Sequence, residues 1–233
     1  MKERPIILNA EMVRAVLNGS KTQTRRIVSW RGLSEGLNMN FSGLKVCGYP
    51  KGWVIESDTR SSSEWRCHPT PCPFGAVGDR LWVRETFQGP LIPENELSEF
   101  LGANPDRFQS PAYCEYAADG GPRPEYVDAE DNTRHGWRPA IHMPRWASRI
   151  TLEITGVRVE RLNDINEQDA RAEGVGRLRG GFWRHYQPGW TQHQLSARGS
   201  FVTLWKSIYG DESWQANPWV WVIDFKRVEG GAA

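Results

Sequence analysis

The chain has 233 residues, of which 39% are hydrophobic and 24% charged, and its formal net charge at pH 7 is +1. This composition is typical of a folded globular protein, and the near-neutral charge argues against a protein clamped along a long nucleic acid. The chain has no apolar run of the roughly 20 residues that a membrane helix needs, and no secretory signal at its start, so we expect a cytoplasmic protein.

The first predicted elements surround a run rich in lysine, threonine and arginine at residues 18–26. Gly19 is a residue that commonly ends a helix, so the helix before this run should stop just before Lys21. If Lys21 lies in the turn before regular strand pleating begins, its side chain can still reach Thr24. The predicted elements are a strand at 5–8, a helix at 10–18 and a strand at 22–28.

The next part of the sequence predicts two long irregular segments that flank one strand at 79–87. Residues 31–74 are rich in Gly, Ser and Pro, with one hairpin strand expected at 53–55. Residues 88–140 are rich in Pro and Asp, with a short helix expected near 94–101 and a strand near 112–117. Because so long a connection is usually functional or mobile, this second segment is a candidate lid.

The last part of the chain predicts strands and helices of clear periodicity. Residues 150–154 and 157–160 alternate on opposite parities across Gly156, which indicates a bulge or sharp bend. Asp164 and Glu167 have the spacing of a capping box, and the helix they open should end at Gly174, which leaves Glu173 at the helix end. A helix over 201–208 and a strand over 219–228 complete the chain.

The side chains of Lys21, Thr24 and Glu173 are the types needed to hydrolyse an amide. A threonine hydroxyl is a poor nucleophile until a base takes its proton, and a lysine is such a base when burial or nearby cations lower its pKa. Arg25 and Arg26 are such cations, and a carboxylic acid protonates a leaving amine. Spacing alone favours the simpler interpretation of a surface lysine, a strand threonine and a helix-end carboxylate.

Two motifs resemble those of the ASCH family of PUA-like β-barrels. They are Leu-x-Gly-x-Lys-Thr-x-Thr-x-Arg at 17–26 and Gly-Asp-x-Leu-x-Val at 78–83. The stretches 5–28, 72–87, 137–173 and 218–228 also resemble a group of ASCH-type proteins from phages and prophages, which implies a bacterial host. The resemblance implies an α+β fold with a PUA-like β-barrel and flanking helices, as a single domain over 1–233 with insertions at 31–74 and 88–140.

The resemblance also implies an activity, because small bacterial ASCH proteins hydrolyse N(4)-acetylcytidine to cytidine and acetate. By motif position, Lys21 corresponds to the proton acceptor, Thr24 to the nucleophile and Glu173 to the proton donor. The implied substrate is a cytosine nucleoside or nucleotide acylated on its exocyclic amine, with no cofactor. This chain departs from those enzymes in its length, its two insertions and its tryptophan-rich C-terminal half, which puts the size of the substrate and the retention of activity in question.

Several side chains are candidates for binding the substrate. Tryptophan rings stack on nucleobases, and Trp146, ahead of Trp82 and Trp183, is the first choice for this role. Glu85 is a candidate for a second carboxylate in the pocket, and the alternative is an ion pair with Arg84 or Arg26. The full set of predicted substrate-binding residues is Thr22, Arg25, Arg26, Trp82, Glu85, Arg145 and Trp146.

Two other functions stay open from the sequence. The chain is alternatively a non-catalytic module for RNA or single-stranded DNA, or an ASCH-type ribonuclease. The module would use Trp146 and two basic clusters, which equally fit solvated edges. The clusters are Lys21, Arg25, Arg26 and Arg31, and Arg134, Arg138, Arg145 and Arg149.

A structural zinc site is a weaker alternative. The candidate ligands are Cys47, Cys67, His68, Cys72 and Cys114. Their spacing matches no standard zinc module, so reduced thiols without a metal are the favoured interpretation.

Overall fold

The computed structural model describes residues 1–58, 63–102, 105–127 and 132–228. The protein is a mixed α+β structure with several sheets. The helices are α1 Ala10–Leu17, α2 Leu97–Gly102, α3 Glu167–Ala172, α4 Ala197–Tyr209 and α5 Glu212–Gln215. The strands are β1 Glu3–Ile7, β2 Gln23–Ile27, β3 Leu44–Tyr49, β4 Gly52–Asp58, β5 Ser63–Trp65, β6 Arg80–Arg84, β7 Phe87–Gln88, β8 Glu115–Tyr116, β9 Glu125–Val127, β10 Thr133–His135, β11 Thr151–Arg161 and β12 Trp219–Arg227.

The chain forms two compact units, each assembled from separate stretches of sequence. The first contains Met1–Gly19, Asp79–Glu153 and Lys226–Ala233, and the second contains Ser20–Gly78 and Ile154–Phe225. The expectation of a single domain stays a prediction, because such units are defined by contacts and not by independent folding.

In the first unit, β1 runs parallel to β6, and β6 pairs antiparallel with the start of β11. The short strands form two further pairs, β7 with β8 and β9 with β10. Helix α1 is capped at its start by Asn9, whose side chain accepts a hydrogen bond from Met12 N, and it ends before Gly19, which has a φ of 77°. The predicted helix at 10–18 is therefore confirmed.

In the second unit, β2 pairs antiparallel with β12, and β11 lies on the other side of β12. The segment predicted to hold one hairpin strand instead forms a three-stranded sheet in the order β3-β4-β5. Leu44, Val54, Ile55 and Cys67 form its buried core. Each sheet formed by the described residues has two different end strands, so none of them closes into a barrel.

Helix α3 begins later than its predicted capping box. The prediction that Asp164 caps this helix is wrong, because Asp164 lies in a 3-10 turn and Asn166 accepts the hydrogen bond from Asp169 N at 2.8 Å. The helix ends as predicted, with Glu173 as its C-cap and Gly174 at a φ of 80°. The strand expected near 112–117 is limited to β8, because a 3-10 turn occupies Pro111–Tyr113.

Two other predicted features have clear outcomes in the described residues. Gly156, where the apolar–polar alternation of the sequence changes sides, lies inside one continuous strand, β11. A Cβ atom at this position would lie 2.8 Å from Asp224 Oδ2. The glycine therefore lets the Asp224 carboxylate approach the strand. Within the described ranges, no helix is long and apolar enough to cross a membrane.

Candidate functional site

Lys21 and Glu173, which are 152 positions apart, form a buried ion pair in the second unit. The backbone brings them together, since Thr22 N donates to Ala172 O at 2.8 Å and residues 21 and 173 form an isolated antiparallel bridge. Lys21 Nζ donates three hydrogen bonds of 2.8 Å, to Gln23 O, Glu173 O and Glu173 Oε2. Both residues are only 3% exposed.

Burial makes the Lys21 side chain easier to deprotonate. Removal from water disfavours the charged ammonium and lowers the pKa of Lys21, and the charges of Arg26 and Arg25 lower it further. The charge and hydrogen bond of Glu173 oppose this shift without reversing it. Lys21 therefore has the property that a lysine base needs, and its nearest carboxylate is one hydrogen bond away.

Arg25 supports Glu173 from the other side. Its guanidinium donates to Glu173 Oε1 at 3.1 Å, to Asp169 Oδ2 at 3.0 Å and to Glu160 Oε1 at 2.5 Å. The Arg25 side chain is fully buried, so it stabilises the network from inside and is not exposed to a substrate. The two Glu173 oxygens are thus held by two different cations.

Arg158 forms the more exposed edge of the same network. It donates to Glu160 Oε2 at 3.1 Å, to Asp169 Oδ2 at 3.0 Å and to Asp224 Oδ2 at 2.8 Å. Burial acts to raise the pKa of Asp169, but the hydrogen bond from Gln23 and the charges of Arg25 and Arg158 outweigh it and lower that pKa. Asp169 therefore stays ionised as part of the support for Arg25.

Thr24 lies in β2 directly beside this network. It is 2% exposed, and its backbone is opposite Ile223 of β12. Strand alternation directs its side chain to the face opposite Gln23 and Arg25. In the part of the chain that the structure describes, no hydrogen bond or ion pair joins the Thr24 side chain to Lys21 or Glu173. Lys21 Nζ nevertheless binds the Gln23 carbonyl, which belongs to the planar peptide group leading to Thr24.

The other residues of the predicted motif have different surroundings. Thr22 is exposed and contributes backbone hydrogen bonds, donating to Ala172 O and accepting from Phe225 N. Arg26 is half-buried in β2 opposite Trp221.

Glu85 belongs to the first unit and forms a separate buried ion pair there. Arg149 donates to both Glu85 oxygens at 3.0 Å and to both Asp119 oxygens at 2.7 and 2.8 Å. Burial raises the pKa of Glu85, and the hydrogen bond and charge of Arg149 offset this only in part. Its partner is Arg149 and not the predicted Arg84 or Arg26.

The predicted aromatic residues Trp82 and Trp146 also lie in the first unit. Trp82 is half-buried, with the guanidinium carbons of Arg84 and Arg145 at 5.5 and 6.0 Å from its ring centroid. Arg145 also pairs with Glu3 at 3.0 Å. Trp146 is half-buried and packs against the core cluster that includes Phe87 and Met143.

The candidate zinc ligands have other partners. Cys47 Sγ donates to Glu56 Oε2 at 3.4 Å, Cys67 Sγ accepts from Ile55 N at 3.1 Å, and Cys114 Sγ donates to Ser110 O at 3.7 Å. Burial raises the pKa of the Cys67 and Cys114 thiols. Among the described residues, which include His68 and Cys72, no three His, Cys, Asp or Glu side chains are arranged to hold a metal ion.

Sequence reasoning missed the acidic residues around Arg25 and the outer arginine, Arg158. A signal for them exists, because Asp169 and Glu173 are four residues apart on one helix face. Arg158 and Glu160 likewise alternate onto one face of β11. What the sequence lacks is any sign that these two faces meet β2.

Comparisons of the chain with protein-family models, with curated proteins and with solved structures found no match.

Proposed function

We propose that this protein is an ASCH-type, PUA-like amidohydrolase that removes an acyl group from the exocyclic amine of a cytosine nucleoside or nucleotide. The proposal is supported mainly by the 2.8 Å contact between Lys21 Nζ and Glu173 Oε2. A base and an acid predicted from motifs 152 positions apart meet in a buried site, as the reaction requires. Thr24 is three residues from Lys21 along the chain, with its side chain on the face of β2 opposite Gln23 and Arg25.

The Lys21–Glu173 pair can provide both the base and the acid of the reaction, because one proton moves between the two side chains. Moving that proton across their hydrogen bond converts the ion pair into a neutral lysine and a protonated glutamate. Burial favours this exchange, because a water-poor site stabilises charges less well than bulk water does. The pair then contains a free base and a ready acid at the same time.

Acylation follows from these two groups. For this step Lys21 must reach the opposite face of β2, where it exchanges its hydrogen bond with Gln23 O for one with the Thr24 hydroxyl. It takes the hydroxyl proton as Oγ1 bonds to the acyl carbon. Glu173 gives its proton to the exocyclic nitrogen as the carbon–nitrogen bond breaks. Cytidine leaves with its amino group restored, the acyl group remains as an ester on Thr24, and the pair returns to ammonium and carboxylate.

Hydrolysis of the ester restores the protein. The proton moves back from Lys21 to Glu173, a water molecule attacks the acyl carbon, and Lys21 accepts the water proton. Lys21 then passes this proton to the departing Thr24 oxygen. The carboxylic acid leaves, Glu173 returns its proton to Lys21, and all three side chains regain their starting hydrogens.

The charge distribution favours a small substrate over a long nucleic acid. Arg25, Arg145 and Arg149, which belong to the predicted basic clusters, are each paired with carboxylates of their own unit. These pairs reduce the positive charge that either cluster presents to phosphates. A nucleoside carries no phosphate, so its binding does not need this positive charge.

The test is release of cytidine from N(4)-acetylcytidine, and of deoxycytidine from the acylated deoxy analogue. Wild type is compared with Lys21→Ala, Thr24→Ala and Glu173→Ala, and Arg107→Ala, at an exposed arginine outside the predicted site, is the control. We expect wild type and Arg107→Ala to turn the substrate over, and turnover to fall by about 100-fold or more in each triad variant. No release from either substrate by folded wild type would overturn the proposal.

A further inference from the structure

An open cavity of about 500 Å³ lies against helix α3 in the second unit. It is lined by Glu167, Arg171, Arg177, Gly181, Trp183, Leu195 and Ser196. On a helix, residues four apart share a face, so Glu167 and Arg171 lie on one face of α3, while Asp169 and Glu173 lie on the opposite one. The cavity is therefore separated by the helix from the Lys21–Glu173 pair, and its volume is that of a small-molecule site.

The two arginines of the cavity, Arg171 and Arg177, have no acidic partner among the described residues. Across the ranges that the structure describes, no carboxylate lies within 4.0 Å of the Arg171 or Arg177 guanidinium. Glu167, the one acidic side chain in the lining, is already bound, since its two oxygens accept from Ala197 N at 3.0 Å and Arg198 N at 2.9 Å. Among the described residues, the lining thus presents two guanidinium groups with no hydrogen-bonded partner and one carboxylate that already accepts two hydrogen bonds.

The surrounding sequence reinforces this positive charge. No Asp or Glu occurs from residue 174 to residue 210, a stretch with five Lys or Arg residues. The Ser196 hydroxyl accepts a hydrogen bond from Gly199 N, which leaves its own hydrogen available to a ligand in the cavity. Groups of this kind recognise the oxygens of a phosphate ester.

The cavity also has an aromatic wall that is held in place. Trp183 is 9% exposed, and its backbone exchanges two hydrogen bonds of 2.8 Å with Gln194. The Arg171 guanidinium lies 5.6 Å from the Trp183 ring centroid. An aromatic ring next to phosphate-binding arginines suits a ligand with a flat base.

We propose that this cavity binds the phosphate group of a nucleotide, with Arg171 and Arg177 as its phosphate ligands. The phosphate belongs either to a free mononucleotide or to a single strand. The inference does not depend on the proposed hydrolase activity, because no cavity residue belongs to the Lys21–Glu173 network.

The test is calorimetric titration of the full chain with adenosine monophosphate, adenosine, inorganic phosphate and a short oligoadenylate. Adenine ligands are chosen because they do not resemble the proposed cytosine substrate, so failure here leaves the hydrolase proposal untouched. The variants are Arg171→Gln and Arg177→Gln. Arg179→Gln is the matched control, since Arg179 is exposed in the same segment but does not line the cavity. Circular dichroism checks that each variant is folded.

We expect adenosine monophosphate to bind at least about tenfold more tightly than adenosine, because only the nucleotide forms charge-assisted hydrogen bonds. Each cavity variant should lose about tenfold or more in affinity, and Arg179→Gln should stay within about twofold of wild type. Tighter binding of the oligoadenylate than of the mononucleotide would identify a strand as the source of the phosphate, and the reverse order a free nucleotide.

Three results would overturn the inference: no binding of any phosphate ester, equal binding of adenosine and its monophosphate, or wild-type affinity in both cavity variants. Inorganic phosphate that binds as tightly as the nucleotide would overturn the assignment to a nucleotide.

Discussion

The Lys21–Glu173 pair and the Glu85–Arg149 pair both bury a carboxylate against a cation, but the two cations differ in kind. Burial lowers the pKa of Lys21, so this lysine releases its proton more easily than an exposed one. Burial also acts on Arg149, but the hydrogen bonds and charges of Glu85 and Asp119 outweigh it and raise the pKa of Arg149. An arginine in such a pair stays charged at any working pH, whereas a lysine can exchange protons with its carboxylate. The difference points to chemistry in the first pair and a structural role in the second.

The largest expected effect is on turnover, when the cation of each pair is replaced by the other basic residue type. Lys21→Arg keeps the positive charge beside Glu173 but removes the group that accepts a proton, so turnover of N(4)-acetylcytidine should fall by about 100-fold or more. Arg149→Lys keeps the charge beside Glu85 and should leave turnover within about twofold, since no proton transfer depends on it. Turnover retained in Lys21→Arg would contradict a base role for Lys21.

Removing the carboxylate of each pair should lower the free energy of unfolding by different amounts. Glu173→Ala deprives Lys21 of its carboxylate partner and should lower the free energy of unfolding by about 3–5 kcal/mol. Glu85→Ala should cost less, roughly 1–3 kcal/mol, because Arg149 keeps both hydrogen bonds to Asp119. Urea unfolding measures both values.

The double variant Lys21→Met/Glu173→Leu is the control for this comparison. It replaces the whole pair with apolar side chains and should be more stable than Glu173→Ala, because no buried charge is left alone. A double variant that is less stable than the single one would show that the ion pair itself stabilises the fold.

The two pairs should also give opposite pH dependence of stability. The pKa of Lys21 in the folded chain lies below the ordinary lysine value of 10.5, and between the two the unfolded chain holds the extra proton. Raising the pH through that window therefore increases the free energy of unfolding. The pKa of Glu85 in the folded chain lies above the ordinary glutamate value of 4.5. Between these two values the folded chain holds the extra proton, so raising the pH through this window lowers the free energy of unfolding.

Unfolding measured across pH in wild type, Lys21→Met and Glu85→Gln separates these contributions. The difference between wild type and Lys21→Met should change in the alkaline window, and the difference between wild type and Glu85→Gln in the acidic one. A wild-type minus Lys21→Met difference that stays constant up to pH 10.5 would argue against a lowered Lys21 pKa.

The exposed Arg145–Glu3 pair gives the smallest expected effect. Both side chains are over a third exposed, so solvent screens their attraction. Arg145→Gln should change the free energy of unfolding by less than about 1 kcal/mol. A loss above 2 kcal/mol, on the order of a buried pair, would mean that burial is not what distinguishes these ion pairs.

Local sequence patterns predicted several elements of each unit. The apolar face of α1, the glycine at 19, the alternation of β12 and the glycine at 174 are signals within a few residues of each element. Resemblance to a family brought Lys21 and Glu173 together in the prediction, since their positions 152 residues apart carry no local signal.

The remaining features depend on contacts between distant segments. The sheet β3-β4-β5 was predicted as one strand, because β3 and β5 are defined by pairing with β4 and not by strong alternation. Asp164 has the spacing of a helix cap, but Asn166 takes that role because a 3-10 turn precedes it. Glu167 was expected to cap its own helix and instead binds the first amides of α4, 30 residues later.

The protonation of Lys21 can be measured directly by NMR on protein with carbon-13 at the lysine ε positions. The resonance that is missing from Lys21→Arg identifies Lys21, and its chemical shift is followed across pH beside those of the exposed lysines. We expect this resonance to titrate at a lower pH than the others, because burial disfavours the ammonium. Titration together with the exposed lysines, or at a higher pH, would contradict the role of Lys21 as a proton acceptor.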